Sequence, residues 1–255
     1  MTRTALITGA GKGIGEAIAL ALAAQGLRVA LAARTPADLE RVAGRIRAAG
    51  GTALPVVCDV TKVDSITGAV AAAVEAFGPI TVLVNNAGAA GSHKFLGHDD
   101  RLWQYMLDIN LTSVYQVTKA VVPMMVAARW GRIINVASIA SKVGGKYVAA
   151  YTAAKHGVLG LTRALAAEFV AYNITANAIC PGYVDTPMTD QAVANIAAYT
   201  GRSAAEARAT LEHISPQNRL ITVEEVAAVA VLLAGDSARG INGQAINIDG
   251  GAVTF

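Results

Sequence analysis

The sequence is poor in cysteine, in aromatic residues and in charge. Of its 255 residues, 15% are charged and 5% are aromatic, whereas 54% are hydrophobic. This composition argues against a disordered chain and predicts an extensive core. Cys58 and Cys180 are the only cysteines and follow no redox or metal-binding spacing. A disulfide framework and a zinc site are therefore not expected, and both residues are predicted to be buried thiols.

Long hydrophobic runs, basic blocks and paired histidines are also lacking. No stretch of eighteen or more uncharged apolar residues occurs, so we expect no membrane span. The net charge of +3 is small and no basic cluster is present, so a nucleic-acid partner is not expected. The four histidines form no metal-like pair, and we expect no metal. The first nine residues enter a strand at once, which leaves no room for a signal peptide and predicts a cytoplasmic protein.

What the sequence does contain is a regular alternation of short apolar runs with Ala-rich helical segments. We predict strands at 4–8, 27–33, 52–58, 80–84, 132–136, 174–180 and 242–248. This order is typical of an α/β doubly wound Rossmann fold, a seven-stranded parallel sheet with helices on both faces. The length fits one NAD(P)-binding domain over 1–255. Right-handed crossovers place every strand C-terminus at one edge, where a site is expected.

A glycine-rich turn follows the first strand and opens a helix, which is a favourable arrangement for binding phosphate. The second strand ends at Ala33, and Arg34 comes next. An acid at this place would bind the adenosine ribose, whereas a cation accommodates a 2′-phosphate. Arg34 and Lys12 of the glycine loop, with no carboxylate beside them, favour NADP(H). The alternative is that both are solvated surface charges.

Tyr151 and Lys155 stand four residues apart at the start of a predicted helix, so they share one face. A neighbouring cation lowers the pKa of a phenol, which predicts Tyr151 as a general acid or base. Ser138 ends the fifth predicted strand, where its hydroxyl can donate to a substrate carbonyl oxygen. Taken alone, the Tyr–Lys pair is best interpreted as an ordinary helix-surface pair. Ser138 and the glycine loop reverse that interpretation.

The alternation is interrupted at about 185–220, which is too long for a plain loop and is predicted to be a helical lid. One helix is expected over 189–200. A second begins at Ser203, where Glu206 completes a capping box. An apolar stripe on the first helix would face substrate or would pack on the neighbouring helix. The tentative substrate contacts are Met188 and Ile196 on the lid, with Tyr183 and Val143 opposite.

Along essentially its full length the chain resembles the short-chain dehydrogenase/reductase family, notably bacterial 3-oxoacyl-thioester reductases and polyketide ketoreductases. The matching motifs are the glycine loop Thr8–Gly15, Asp59-Val60, Asn85-Asn-Ala-Gly88, Asn110, Ser138, Tyr151-x-x-x-Lys155, Pro181-Gly182 with Thr186, and Asp249-Gly-Gly251. The resemblance implies a catalytic tetrad of Asn110, Ser138, Tyr151 and Lys155, with Asn110 holding a proton-relay water. The cofactor contacts, predicted partly from the motifs and partly from the resemblance, are Gly9, Lys12, Gly13, Ile14, Gly15, Arg34, Asp59, Val60, Asn86, Ala87, Gly88, Tyr151, Lys155, Pro181, Gly182, Val184 and Thr186.

The function that the resemblance implies is NADPH-dependent reduction of a ketone or 3-oxoacyl thioester by a homotetramer. Carrier-protein reductases of this kind keep two basic docking residues. Here Arg129 matches one, but Tyr172 replaces the other, which favours a CoA thioester or a free ketone. Two alternatives remain: an NAD-linked secondary-alcohol or 3-hydroxyacyl-CoA dehydrogenase working oxidatively, and a catalytically silent dinucleotide-binding regulator.

Overall fold

The structure is a computed structural model that describes residues 2–255. These residues form seven strands and nine α-helices. The strands are β1 (Thr4–Thr8), β2 (Arg28–Ala33), β3 (Thr52–Val57), β4 (Ile80–Asn85), β5 (Gly131–Val136), β6 (Ile174–Pro181) and β7 (Ala245–Ile248). The helices are α1 (Gly13–Ala24), α2 (Pro36–Ala48), α3 (Val63–Phe77), α4 (Asp100–Leu107), α5 (Ser113–Ala128), α6 (Ala149–Phe169), α7 (Pro187–Thr200), α8 (Ala204–Glu212) and α9 (Val223–Ala234).

The strands form one parallel sheet in the order β3-β2-β1-β4-β5-β6-β7. Apolar side chains of α1, α2 and α9 pack on one face, and those of α3, α5 and α6 pack on the other. This confirms the predicted doubly wound sheet. The strand order reverses between β1 and β4, so the loops after these two strands border a crevice at the carboxyl edge.

Two predicted boundaries were wrong because side chains make bonds that the sequence pattern does not show. The hydroxyl of Thr61 and its place before the helix predict that Thr61 caps α3. The N-cap is Lys62, and Thr61 donates to the Asp59 carboxylate instead. The last strand begins at Ala245 rather than at 242. Asn242 precedes it in a turn, where its side chain accepts from the Ala176 amide.

The predicted lid forms two helices, α7 and α8, that pack on each other. Val193 of α7 is buried with Leu211 of α8 and Leu220 in a small apolar cluster separate from the sheet core. The predicted capping box of α8 is present, as is another at the start of α9. A bridge between Val184 and Ile221 joins the two ends of the insertion. Within residues 2–255 no helix is long and apolar enough to cross a membrane.

Candidate active site

The glycine loop is held against the loop that follows β4. The Thr8 hydroxyl accepts hydrogen bonds from the backbone amides of Asn86 and Ala87, both at 3.0 Å. The Asn86 side chain donates to the carbonyls of Thr8 and Gly9. Gly9 has φ +66°, and a Cβ there would lie 2.7 Å from the Asn86 amide nitrogen. Only glycine therefore allows the two loops to approach this closely.

The part of the crevice that is predicted to bind the adenosine of the cofactor lies where β2 and β3 end. Arg34 follows β2 and is exposed. Asp59 accepts from the Thr61 amide and hydroxyl, and these bonds, the hydroxyl first, lower the pKa of its carboxyl. Sequence reasoning missed a third residue, Asp38 of α2. A Cβ on Gly11 of the glycine loop would lie 2.9 Å from the Asp38 Cβ, so a carboxylate does lie at this end.

Asn110 lies in a π-helical turn, Asp108–Thr112, between α4 and α5. Its side-chain amide donates to the carbonyls of Ala89 at 2.9 Å and Met106 at 3.1 Å, and its oxygen accepts from the Ala89 amide. The wider turn explains how one side chain reaches both its own helix and the loop after β4. The predicted interruption of the helix at Asn110 is confirmed.

Ser138 and Tyr151 meet beyond the end of β5. Ser138 is the N-cap of a short 3₁₀ turn and accepts from the Ala140 amide at 3.1 Å. Burial raises the pKa of the Tyr151 phenol, and a hydrogen bond with the Ser138 side chain opposes the increase. The expected lowering of this pKa by Lys155 is wrong, because burial of the phenol determines the direction of the shift. The phenol is therefore protonated at neutral pH.

Lys155 is buried, and its ammonium donates to the Val136 carbonyl at 3.0 Å. Its Nζ lies 5.7 Å from the centre of the Tyr151 ring. Burial lowers the pKa of Lys155 to about 8. A Cβ on Gly88 would lie 2.7 Å from the Asn110 side-chain oxygen and 3.8 Å from the Lys155 Nζ. Gly88 thus lies between Asn110 and Lys155, and a larger residue at position 88 would collide with the Asn110 side chain.

The segment after β6 closes the crevice on its remaining side. Gly182 packs against Asp249, which follows β7 and holds its own loop through the amides of Gly251 and Val253. Two residues after Val184, the Thr186 methyl lies 3.2 Å from where a Cβ on Gly13 would stand. The strand order thus brings Val184 and Thr186, two of the predicted cofactor contacts, close to the glycine loop.

The four tentative substrate residues lie in different environments. Tyr183 is 39% exposed, and its charge adds to the increase in the pKa of Tyr151. Met188 is 48% exposed at the start of α7, and Val143 is half-buried after the Ser138 turn. Ile196 packs against the α7–α8 cluster, so its visible role is to hold the lid helices together. All four remain predictions as substrate contacts.

The remaining predicted cofactor residues surround the same edge. Lys12 is the N-cap of α1, whose first turn contains Gly13, Ile14 and Gly15. Val60 is buried behind Asp59, and Pro181 is the last residue of β6. Within residues 2–255 no three His, Cys, Asp or Glu side chains are grouped so that they could hold a metal ion. The role of Lys12, Val60, Pro181 and the first turn of α1 in cofactor binding stays a prediction.

Comparison with known proteins identifies the class to which this fold and site belong. The sequence profile of the short chain dehydrogenase family matches residues 3–197. The chain is 43% identical over 256 residues to a protein of Streptomyces virginiae named as a ketoacyl reductase of the monensin polyketide synthase, covering 100% of this chain and 98% of the relative. It is 38% identical to the 3-oxoacyl-[acyl-carrier-protein] reductase of Synechocystis, covering 99% and 98%.

Among solved structures, a variant of actinorhodin polyketide ketoreductase with NADPH superposes with a TM-score of 0.96 at 39% identity, covering 100% of this chain and 98% of the other. The chain therefore belongs to the short-chain dehydrogenase/reductase family. It is an oxidoreductase of the class that interconverts alcohols and carbonyl compounds.

Proposed function

We propose that this protein is an NADPH-dependent carbonyl reductase that acts on a ketone or a 3-oxoacyl thioester. The observation that carries the proposal is the convergence of a protonated Tyr151, a hydrogen-bonding Ser138 and a buried Lys155 on one edge of the sheet. A silent nucleotide-binding regulator would need no buried ammonium beside a phenol, because burying that charge destabilises the fold.

The chemistry divides between the cofactor and the protein. When bound, a nicotinamide cofactor would supply the hydride for the carbonyl carbon. Ser138 donates a hydrogen bond to the carbonyl oxygen, and Tyr151 transfers its proton to that oxygen as charge develops there. The Lys155 ammonium stabilises the phenolate left on Tyr151 and binds the nicotinamide ribose. Lys155 then passes a proton to the Tyr151 phenolate, and a water that Asn110 would hold returns a proton to Lys155.

The most informative test is steady-state turnover of the purified chain with NADPH and with NADH across a panel of substrates. The panel contains acetoacetyl-CoA, a free aryl ketone and a 3-oxoacyl carrier protein. We expect the first two to be reduced faster, because Tyr172 occupies the place of the second basic docking residue and the remaining one, Arg129, lies over the Tyr172 ring and donates to the Ala171 carbonyl. The carrier-protein substrate reacting fastest would contradict this assignment.

Cofactor preference gives a second prediction. Ala33→Asp combined with Arg34→Leu should change the ratio of kcat/KM for NADPH to that for NADH in favour of NADH, by an amount equivalent to about 2–4 kcal/mol. The 2′-phosphate would lose its charge-assisted contact with Arg34 and would be repelled by the new carboxylate. Arg47→Leu is a matched control, since Arg47 is an exposed cation on α2 that pairs with Glu40. A double variant with the wild-type ratio would show that Arg34 does not bind the 2′-phosphate.

The lid gives a third prediction, sharpened by the packing of α7. Met188→Ala should raise KM for a ten-carbon ketone several-fold and spare a four-carbon ketone, since burial is worth about 0.8 kcal/mol per methylene. Leu211→Ala of α8 is the control, because Leu211 is buried within the lid and is not a predicted substrate contact. It should lower Tm and affect both ketones alike. Equal effects of Met188→Ala on the two ketones would mean that Met188 does not contact substrate.

We also propose that the protein acts as a homotetramer in the cytoplasm. Both cysteines are free and buried, which supports a reducing compartment. Trp103 and Tyr105 of α4 and Tyr115 of α5 are exposed by 38–45%, and aromatic residues are enriched in interfaces. Light scattering at micromolar concentration should give four times the chain mass of 26.1 kDa. A stable monomer would contradict the assembly.

A further inference from the structure

Three helices of this chain begin with a Ser or Thr followed three residues later by an acid, but one of them lacks the expected capping box. At α8 and α9 the hydroxyl and the carboxylate each bond the other's backbone amide. At α2 the N-cap Thr35 makes no capping hydrogen bond. Within residues 2–255 the Asp38 carboxylate has neither a hydrogen bond nor an ion pair. It is therefore a charge that helix capping does not explain.

The position of Asp38 is fixed by its contact with the glycine loop. A Cβ added to Gly11 would meet the Asp38 Cβ at 2.9 Å, the Asp38 Cγ at 3.8 Å and the Ala33 Cβ at 3.8 Å. The Asp38 side chain thus lies between the middle of the glycine loop and the end of β2. In this fold the adenosine ribose, with its 2′ substituent, binds between these two elements.

Within residues 2–255 no cation forms an ion pair with this carboxylate. Arg41 lies one turn further along α2, but its guanidinium forms two 2.7 Å bonds to the Glu16 carboxylate and one to the Gly11 carbonyl. Glu16 also pairs with Arg45. The Glu16 hydrogen bond is the main reason that the pKa of Arg41 is raised, and the charge of Asp38 adds to the increase. Arg41 is therefore committed to holding the loop through Glu16 and Gly11, and it forms no ion pair with Asp38.

We propose that Asp38 is a specificity-determining residue whose carboxylate repels the 2′-phosphate and so limits the preference for NADP(H) over NAD(H). The inference rests on the binding of a nicotinamide dinucleotide, which the family implies, and does not depend on the reduction of any particular ketone. It means that the attraction of Arg34 and Lys12 for the 2′-phosphate is partly cancelled, so the preference for NADP(H) is smaller than these two cations alone would give.

The test is calorimetric binding of NADPH, NADH, 2′,5′-ADP and 5′-AMP to the wild type and to Asp38→Asn. The amide keeps the shape of the side chain and removes its charge. We expect affinity for the two 2′-phosphorylated ligands to rise about tenfold and affinity for the other two to change less than twofold. The gain should shrink at high salt, because screening weakens charge repulsion at an accessible site. A purely structural role would show no such dependence.

The matched control is Glu40→Gln, which removes the same charge from α2 at an exposed position paired with Arg47, and it should change none of the four affinities. Asp38→Ser is a second variant in case the amide disturbs folding. Equal changes for all four ligands would overturn the proposal. A selective loss of NADH and 5′-AMP binding would also overturn it, because Asp38 would then be a ribose ligand. Failure of the chain to reduce any ketone would refute the proposed function but would leave these binding results intact.

Discussion

Tyr151→Phe is expected to lower kcat by about 10²- to 10⁴-fold, the usual contribution of a positioned general acid. The phenol is protonated in the free protein because burial raises its pKa, so it is ready to give a proton in the reductive direction. The variant should bind NADPH nearly as tightly as the wild type, since the hydroxyl acts only in the transition state.

The measurement for Tyr151 is a single-turnover experiment with NADPH bound in advance, so that chemistry and not product release limits the rate. Tyr172→Phe is the control, because Tyr172 lies on another surface beneath Arg129, and it should keep the wild-type rate. A Tyr151→Phe variant with more than a tenth of the wild-type rate would remove Tyr151 from the mechanism.

Lys155→Met is expected to reduce kcat/KM by several orders of magnitude and, at the same time, to make the fold more stable at pH 7. The pKa of Lys155 falls from 10.5 to about 8 on folding because burial disfavours the charge. At pH 7 the folded protein still carries the proton, which costs roughly 3 kcal/mol for a shift of this size. Methionine removes this cost but leaves the Val136 carbonyl without its donor, so we expect a net gain of about 1–2 kcal/mol.

The pH dependence of this effect has a definite sign. Between about pH 8 and 10.5 the unfolded chain binds the Lys155 proton and the folded chain does not, so the stability of the wild type rises with pH in this window. The advantage of Lys155→Met should therefore shrink from pH 7 to 9.5 in urea melts. Catalysis should change in the opposite direction, with wild-type kcat/KM falling above about pH 8 as Lys155 loses its charge. Lys119→Met, at an exposed site on α5, should alter neither property, and a stability gain independent of pH would contradict the assignment.

Local signals in the sequence were sufficient to predict most of the architecture. The alternation of strands and helices, the glycine turn after β1 and the capping boxes at Ser203 and Thr222 each depend on residues close together in the chain, and the structure contains all of them. The interruption of the helix at Asn110 was also predicted, but the π-helical form of the turn was not.

The features that were missed depend on contacts between distant segments. Asn85 donates to Thr118 and Asn135, and Asn135 donates to Thr162, so one buried network joins β4, β5, α5 and α6. No spacing rule connects these positions. The pKa of Tyr151 was predicted in the wrong direction because the spacing to Lys155 is a sequence property, whereas desolvation depends on the whole fold.

The central claim is that this chain transfers a hydride from NADPH to a carbonyl carbon under the control of Tyr151, and isotope transfer tests it most directly. The protein is incubated with NADPH carrying deuterium at nicotinamide C4 on one face at a time, together with an aryl ketone, and the alcohol is analysed by mass spectrometry and chiral chromatography. We predict that one labelled face gives an alcohol of single configuration with one deuterium on the carbinol carbon per NADPH consumed, and that Tyr151→Phe gives almost none. An alcohol without deuterium from either labelled face, or equal yields from Tyr151→Phe and the wild type, would contradict the account.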